Sequence, residues 1–153
     1  MKDNTSTWYT TNDATLEITG VQLEVGSVAT DFEHRSFGQE LALCQRYYYV
    51  HASGYQKPVG VGVCYLAYQL YVFFNLPTEM RSTPTVEQVT GTDYFIAYHN
   101  GSSDTFNDFD NIWHASANMM TVVNFNDISL TGGGAAMVET NNASAKLAFT
   151  AEL

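Results

Sequence analysis

Residues 69–77 of this 153-residue chain read QLYVFFNLP, and this stretch decides the fold class. Side chains alternate between the two faces of a β-strand, and every second residue here is apolar. One face of the strand carries Leu70, Val72, Phe74 and Leu76. The pattern predicts a strand with one buried face. Tyr71 and Phe73 make the opposite face apolar too, so we expect it to be covered, and symmetric self-association would cover it.

Shorter runs of the same kind follow this strand along the chain. They predict strands over residues 86–89, 94–98, 119–125, 128–130, 135–138 and 145–151. Glycine and asparagine occupy the turns between them, for example at Asn100-Gly101 and at residues 132–134. Short antiparallel strands joined by such turns are typical of sandwiches and jelly rolls. We therefore predict an all-β fold, an antiparallel jelly-roll-like sandwich.

One short helix is expected before these strands. Ser36 to Gln39 has the form of a capping box, in which the serine caps the helix and the glutamine reaches back. The helix itself is predicted over residues 40–48, with Leu41, Cys44 and Tyr48 on one face. Cys44 and Cys64 are expected to be buried thiols rather than a disulfide, because the chain can form a core and shows no secretion signal.

The first 38 residues differ from the rest of the chain. Residues 16–25 alternate in polarity for part of their length, and Gly20 shifts the phase, so a half-buried strand with a bulge is expected there. A lone strand cannot bury its apolar face without neighbours. We therefore assign residues 1–38 to a connector or to the last strand of an upstream sandwich domain. Residues 39–153 are assigned to a C-terminal β-sandwich domain.

The charge balance excludes two classes of function. Sixteen acidic and six basic side chains give a net charge of −10, and six bases are too few to neutralise a nucleic-acid backbone. The longest apolar stretch, residues 59–76, is interrupted by glycine and amide residues, so no membrane insertion is expected. Thr, Asn, Ser and Gly together make up 49 of the 153 residues, which predicts a surface with few charged side chains.

The sequence carries no signature of a catalytic centre. The motifs that place Ser, Cys or Lys nucleophiles are absent, and the four histidines stand singly. Three Asp and three Asn residues within 100–111 could bind Ca²⁺, but a solvated loop with Asx turns is the favoured interpretation. A glycosidase carboxylate pair is not favoured either, because the acids lie outside apolar segments or at their margins. We predict no catalytic residue, no metal and no cofactor.

Non-catalytic sugar recognition fits the composition better. Aromatic faces pack against the apolar side of a sugar ring, and neutral or acidic side chains bind its hydroxyl groups. Both kinds of side chain occur around the 100–111 segment, and a further tyrosine lies within residues 53–58. The candidate receptor-binding residues are Tyr55, Tyr94, Tyr98, Asp104, Asn107, Asp108 and Trp113. Most other aromatic residues are expected in the core or at a subunit interface.

Several segments resemble those of a known family. Residues 18–26 (ITGVQLEVG), 29–33 (ATDFE) and 40–48 (ELALCQRYY) resemble a recurrent segment of bacteriophage tail-fibre and tailspike proteins of environmental and marine phages. Residues 76–86 (LPTEMRSTPTV) are similar to a strand–loop–strand signature of that family, and residues 148–153 to its C-terminus. Residues 87–147 match no such segment, as expected if receptor contacts lie on variable loops.

The resemblance implies the C-terminal receptor-binding tip of a tail fibre or spike, located in the tail of the virion. It implies a homotrimer, joined to other virion tail proteins upstream, that attaches to a host cell-surface polysaccharide. No binding residue carries over, because the shared segments are structural. Two alternatives stay open: a purely structural trimerisation or capping domain, and, less favoured, a polysaccharide-cleaving tailspike module.

Overall fold

The computed structural model describes residue 15 and residues 17–28 and 30–151. The chain divides into two units, residues 1–36 and residues 37–153. The boundary between them falls two residues before the one predicted from the sequence. Whether the first unit is a connector to an upstream domain stays a prediction.

The described residues of the first unit form no helix or strand, and all of them are exposed. The bulged strand predicted over residues 16–25 is therefore wrong for residues 17–25, which pair with no strand in the part of the chain that the structure describes. Local side-chain contacts order this segment instead. Oε1 of Gln22 accepts the Glu33 N–H at 2.8 Å, and the Thr30 hydroxyl donates to Oε2 of Glu24 at 2.6 Å.

The described residues of the second unit form one helix and ten strands. These elements are α1 (Phe37–Gln45), β1 (Tyr48–Ser53), β2 (Pro58–Leu66), β3 (Gln69–Asn75), β4 (Thr85–Val89), β5 (Phe95–His99), β6 (Ser102–Phe106), β7 (Asn111–Ala115), β8 (Met119–Phe125), β9 (Ala135–Thr140) and β10 (Lys146–Thr150). The structure thus consists mainly of β-strands with one short helix, as predicted.

The strands form two antiparallel sheets, which confirms the predicted all-β antiparallel class. One sheet has the order β1-β10-β4 and the other has the order β6-β5-β9-β2-β3-β8-β7. A jelly roll has eight strands arranged in two Greek keys. The division into three and seven strands therefore departs from the jelly-roll part of the prediction.

The core lies where the two sheets meet. Leu70, Val72 and Phe74 of β3 face it as predicted, and each is at most 3% exposed. The ring of Phe74 contacts Phe149 of β10, with 5.3 Å between centroids, and His51 of β1, with 4.8 Å. These ring contacts join the seven-stranded sheet to the three-stranded sheet.

Most predicted strands form within two residues of their expected ends. The strand predicted over 128–130 is wrong: Ile128 and Leu130 are buried, but in a loop. The N–H of Leu130 donates to the carbonyl of Ala67, in the turn between β2 and β3, at 2.9 Å. The apolar side chains of this segment are buried from a loop, so their burial does not indicate a strand.

The segment 100–111, predicted to be a loop, contains the whole of strand β6. Asn100 and Gly101 have φ values of 48° and 76° and join β5 to β6 by a two-residue hairpin turn. Strand β6 lies at an edge of the sheet and pairs with β5 alone. The sequence predicted a loop here because most residues of β6 are polar. An edge strand tolerates polar residues, since one of its sides has no neighbouring strand.

Helix α1 begins directly after Ser36, in agreement with the predicted capping position. It ends at Gln45, and none of its residues is buried. Tyr48 belongs to β1, so the predicted helical face shared with Leu41 and Cys44 is wrong. Both thiols are free, as predicted, but Cys44 is exposed and only Cys64 is buried, because α1 buries none of its faces.

Candidate functional site

The seven-stranded sheet has an outer face, opposite the core, whose side chains follow from the strand register. Directly paired residues point to the same side of a sheet. A row of such pairs, the outer row, crosses this face from β5 to β7. The outer row consists of Tyr98, Met137, Val61, Phe73, Thr121 and His114. Its first four members are 37–60% exposed, and none of the six is Asp, Glu, Lys or Arg.

Beside the outer row, four aromatic rings surround a groove with a volume of about 380 Å³, the aromatic groove. The rings are those of Tyr65, Tyr71, Trp113 and Phe125, and the polar lining residues are Gln69 and Asn111. Tyr71 is 8% exposed, whereas Tyr65 and Trp113 are 62% and 50% exposed. The groove therefore opens to solvent above a buried ring.

Two β-bulges position the two most exposed rings of the groove. The β2–β3 register shifts at Tyr65, and the β7–β8 register shifts at Trp113. The extra residue of a bulge leaves the regular ladder, which lets its side chain be aimed separately from its neighbours. Both rings contact Tyr71, with centroid separations of 5.4 Å for Tyr65 and 4.6 Å for Trp113.

The polar groups of the groove are neutral. The Tyr71 hydroxyl donates to Oε1 of Gln69 at 3.3 Å. Burial, with the nearby Tyr65 as a smaller cause, raises the pKa of Tyr71, so its hydroxyl stays protonated. The lining contains no Asp, Glu, Lys or Arg side chain. This arrangement suits a flat neutral molecule that has one apolar face and several hydroxyl groups.

Of the seven residues predicted for the site, all within the described part of the chain, Trp113 is the one that lines the aromatic groove. Tyr98 lies on β5, five strand positions from β7, in the outer row. Tyr55 is exposed in the connection between β1 and β2, and Tyr94 is partly buried against the core. The structure therefore does not gather the predicted residues into one site.

Asp104 and Asn107, two of the three polar residues predicted for the site, take part in hydrogen bonds between a side chain and the backbone. Oδ2 of Asp104 accepts the Ser129 N–H at 2.6 Å, and the Asn107 N–H donates to Oδ2 of Asp127 at 3.2 Å. Burial, with two neighbouring carboxylates as smaller causes, raises the pKa of Asp108. The hydrogen bonds of Asp104 and Asn107 stabilise the connection between β6 and β7, which lie at opposite edges of the sheet. Among the described residues, no group of three or more His, Cys, Asp or Glu side chains is placed to hold a metal ion.

Sequence reasoning missed the other seven residues that line the groove, which are Tyr65, Gln69, Tyr71, Asn111, Ile112, Val123 and Phe125. One signal for them was present, because the pattern of residues 69–76 showed a second apolar face with Tyr71 on it. Periodicity gives the face of a residue but not the strand that lies beside it. The neighbours of Tyr71 on that face therefore could not be named.

Comparisons with protein-family models, with curated proteins and with solved structures found no match to this chain. In the part of the chain that the structure describes, no helix is long and apolar enough to cross a membrane. A function therefore has to be inferred from the outer face itself.

Proposed function

We propose that this chain is a non-catalytic glycan-binding domain and that the aromatic groove is its binding site. The resemblance of residues 18–48 and 76–86 extends the proposal to its biological setting. In that setting the chain is the tip of a phage tail fibre or tailspike, in the virion tail, and attaches to a host-surface polysaccharide. The observation that carries the proposal is the groove, with four rings and two amides around a space of about 380 Å³.

The shape and lining of the groove match the chemistry of a sugar. Sites for small ligands have volumes of about 300–1,000 Å³ and combine apolar walls with a few polar groups. The exposed rings of Trp113 and Tyr65 supply apolar faces, against which the C–H side of a pyranose ring can pack. The amide groups of Gln69 and Asn111 can both donate to and accept from sugar hydroxyl groups.

The charge of the chain favours a neutral glycan. The net charge of −10 repels anionic ligands at long range, and the lining of the groove has no Lys or Arg to pair with a carboxylate or phosphate. Hydroxyl groups need no such partner, because amides and phenols satisfy their hydrogen bonds. We therefore propose an uncharged polysaccharide segment as the ligand.

Replacing Trp113 tests this function. We expect Trp113→Ala to weaken glycan binding about two- to tenfold, because losing an aromatic stacking partner removes about 0.5–1.5 kcal/mol of binding energy. An array of bacterial surface polysaccharides identifies the bound glycan, and titration calorimetry with that glycan measures the change.

Tyr55→Ala is the matched control, since Tyr55 is an aromatic residue of similar exposure outside the groove. It should leave binding unchanged. The proposed function fails if no array glycan binds the wild-type chain. The assignment of the site fails if Tyr55→Ala reduces binding and Trp113→Ala does not.

The part of the outer face on β2, β9 and β5 favours a second candidate function, a purely structural trimerisation or capping domain. Val61 and Met137 are 60% and 57% exposed and lie next to each other on β2 and β9. Tyr98 continues this apolar surface onto β5. A contiguous exposed apolar surface often marks a protein–protein contact. Self-association through it is compatible with glycan binding, because the aromatic groove lies towards β7.

A further inference from the structure

A second depression lies on the outer face beyond the aromatic groove. It has a volume of about 210 Å³, and Phe73, Asn75, His114, Met119 and Thr121 contribute to its lining. The aromatic groove and this depression follow the same three strands, β3, β8 and β7. The groove lies at the Gln69 end of β3 and the depression at the Asn75 end. A strand rises about 3.3 Å per residue, so together they extend about 20 Å along β3.

A pair of stacked rings lies between the two depressions. Trp113 borders the aromatic groove and His114 borders the second depression. Their rings are 5.6 Å apart between centroids and inclined by 12°. Adjacent residues of a regular strand point to opposite faces, but the bulge at Trp113 puts both rings on the outer face. The bulge thus places one ring of the stacked pair in each depression.

We propose that the aromatic groove and the second depression form one channel that binds a linear chain of at least two neutral sugar residues. This proposal rests on the proposed function and deepens it. Trp113 stacks on a sugar residue in the groove, and His114 and Phe73 contact the next residue of the glycan. The channel runs along the strands rather than across them.

The chemistry of the second depression is of the same kind as that of the groove. Phe73 and Met119 are 55% and 56% exposed and offer apolar surface. The amide of Asn75 and the hydroxyl of Thr121 are neutral hydrogen-bonding groups on neighbouring strands. The lining has no Asp, Glu, Lys or Arg side chain. A neutral glycan chain therefore meets matching surfaces over the whole length of the channel.

The test compares glycan lengths and one variant of the second depression. The probes are neutral gluco-, galacto-, manno- and rhamno-oligosaccharides of one to four residues, and titration calorimetry on the full chain measures their affinities. We expect the oligosaccharide of the preferred series to bind about tenfold more tightly than its monosaccharide. His114→Ala should remove this gain and leave the affinity for the monosaccharide unchanged. Trp113→Ala should weaken the binding of both.

Tyr98→Ala is the control, since Tyr98 is an exposed aromatic residue of the same face that lies outside both depressions. It should bind both lengths as the wild type does. Equal affinity for monosaccharide and oligosaccharide, with no effect of His114→Ala, would overturn the channel and leave the proposed function intact. Absence of binding for every probe, together with an array that shows no bound glycan, would overturn both.

Discussion

At the scale of single residues, His51 is the titratable group most closely tied to the packing of the two sheets. Its ring contacts Tyr49, Phe74 and Phe149, which belong to both sheets. Nε2 lies 2.6 Å from the carbonyl of Val59, so this nitrogen carries the proton. Nδ1 is buried and has no hydrogen-bond partner among the described residues. Burial lowers the pKa of His51 below its ordinary value of 6.5, and the bond to Val59 opposes this only in part.

This lowered pKa predicts a loss of stability in mild acid. As pH falls below 6.5, the unfolded chain takes up a proton at His51 before the folded chain does, so the free energy of unfolding decreases. The decrease ends once the pH is below the pKa of the folded state. We expect His51→Phe and His51→Gln to unfold with a weaker pH dependence between pH 7 and pH 5 than the wild type, as measured by urea denaturation.

The two variants separate titration from packing. His51→Gln keeps a donor for the Val59 carbonyl and His51→Phe keeps an aromatic ring, but neither side chain titrates. Their stabilities at pH 7 should differ, while their pH profiles should agree. If both variants retain the wild-type slope, another group causes the acid sensitivity and the explanation through His51 is wrong.

At the scale of elements, the pairing of strand β2 with β3 positions Tyr71, the buried ring of the aromatic groove. Strand β2 pairs with β3 on one side and β9 on the other, and Gly62 lies opposite Val72 and Ala136. A Cβ atom added at Gly62 would lie 2.2 Å from the carbonyl oxygen of Tyr71. Backbone on a central strand has little freedom to move away, so this position needs the absence of a side chain.

Gly62→Ala should therefore lower the free energy of unfolding by about 2–3 kcal/mol, because relieving the clash requires β2 and β3 to separate. Urea denaturation measures the loss. Gly38→Ala is the control: a Cβ there meets nothing within 4 Å, and alanine favours the helix by about 0.5 kcal/mol. A wild-type stability for Gly62→Ala would mean that β2 and β3 are not paired in this register.

At the scale of the whole molecule, the distribution of charge decides which face can meet another copy. The chain has a net charge of −10, so copies repel one another over most of their surfaces. The outer row has no Asp, Glu, Lys or Arg side chain, and its Val61, Met137 and Tyr98 are exposed. Two or three copies can approach through these three residues with little like-charge repulsion, and burial of their apolar side chains would stabilise the contact.

We predict that the chain forms a homotrimer through the Tyr98, Met137 and Val61 end of this row, with a mass three times 17.0 kDa by light scattering. Met137→Glu should shift the population to monomers, because it puts an unpaired carboxylate into the contact. Val89→Glu adds the same charge at an exposed residue of β4, in the other sheet, and should leave the trimer intact. A monomeric wild-type chain at all concentrations would contradict the prediction.

The sequence by itself determined the class of fold and the character of the surface. Alternation over residues 69–76 is a local property, because each side chain's face follows from its neighbours in the chain. It correctly placed Leu70, Val72 and Phe74 in the core. Composition likewise depends on the sequence alone, which therefore determined the small share of charged residues and the shortage of basic ones.

Only the tertiary structure decided where the candidate site lies. Trp113 was named from the sequence, but its contact with Tyr71 depends on β7 pairing with β8 and β8 with β3. Strand order is set by packing between segments far apart in the chain, and local alternation does not determine it. The same holds for the bulges at Tyr65 and Trp113, since a bulge exists only relative to a paired strand.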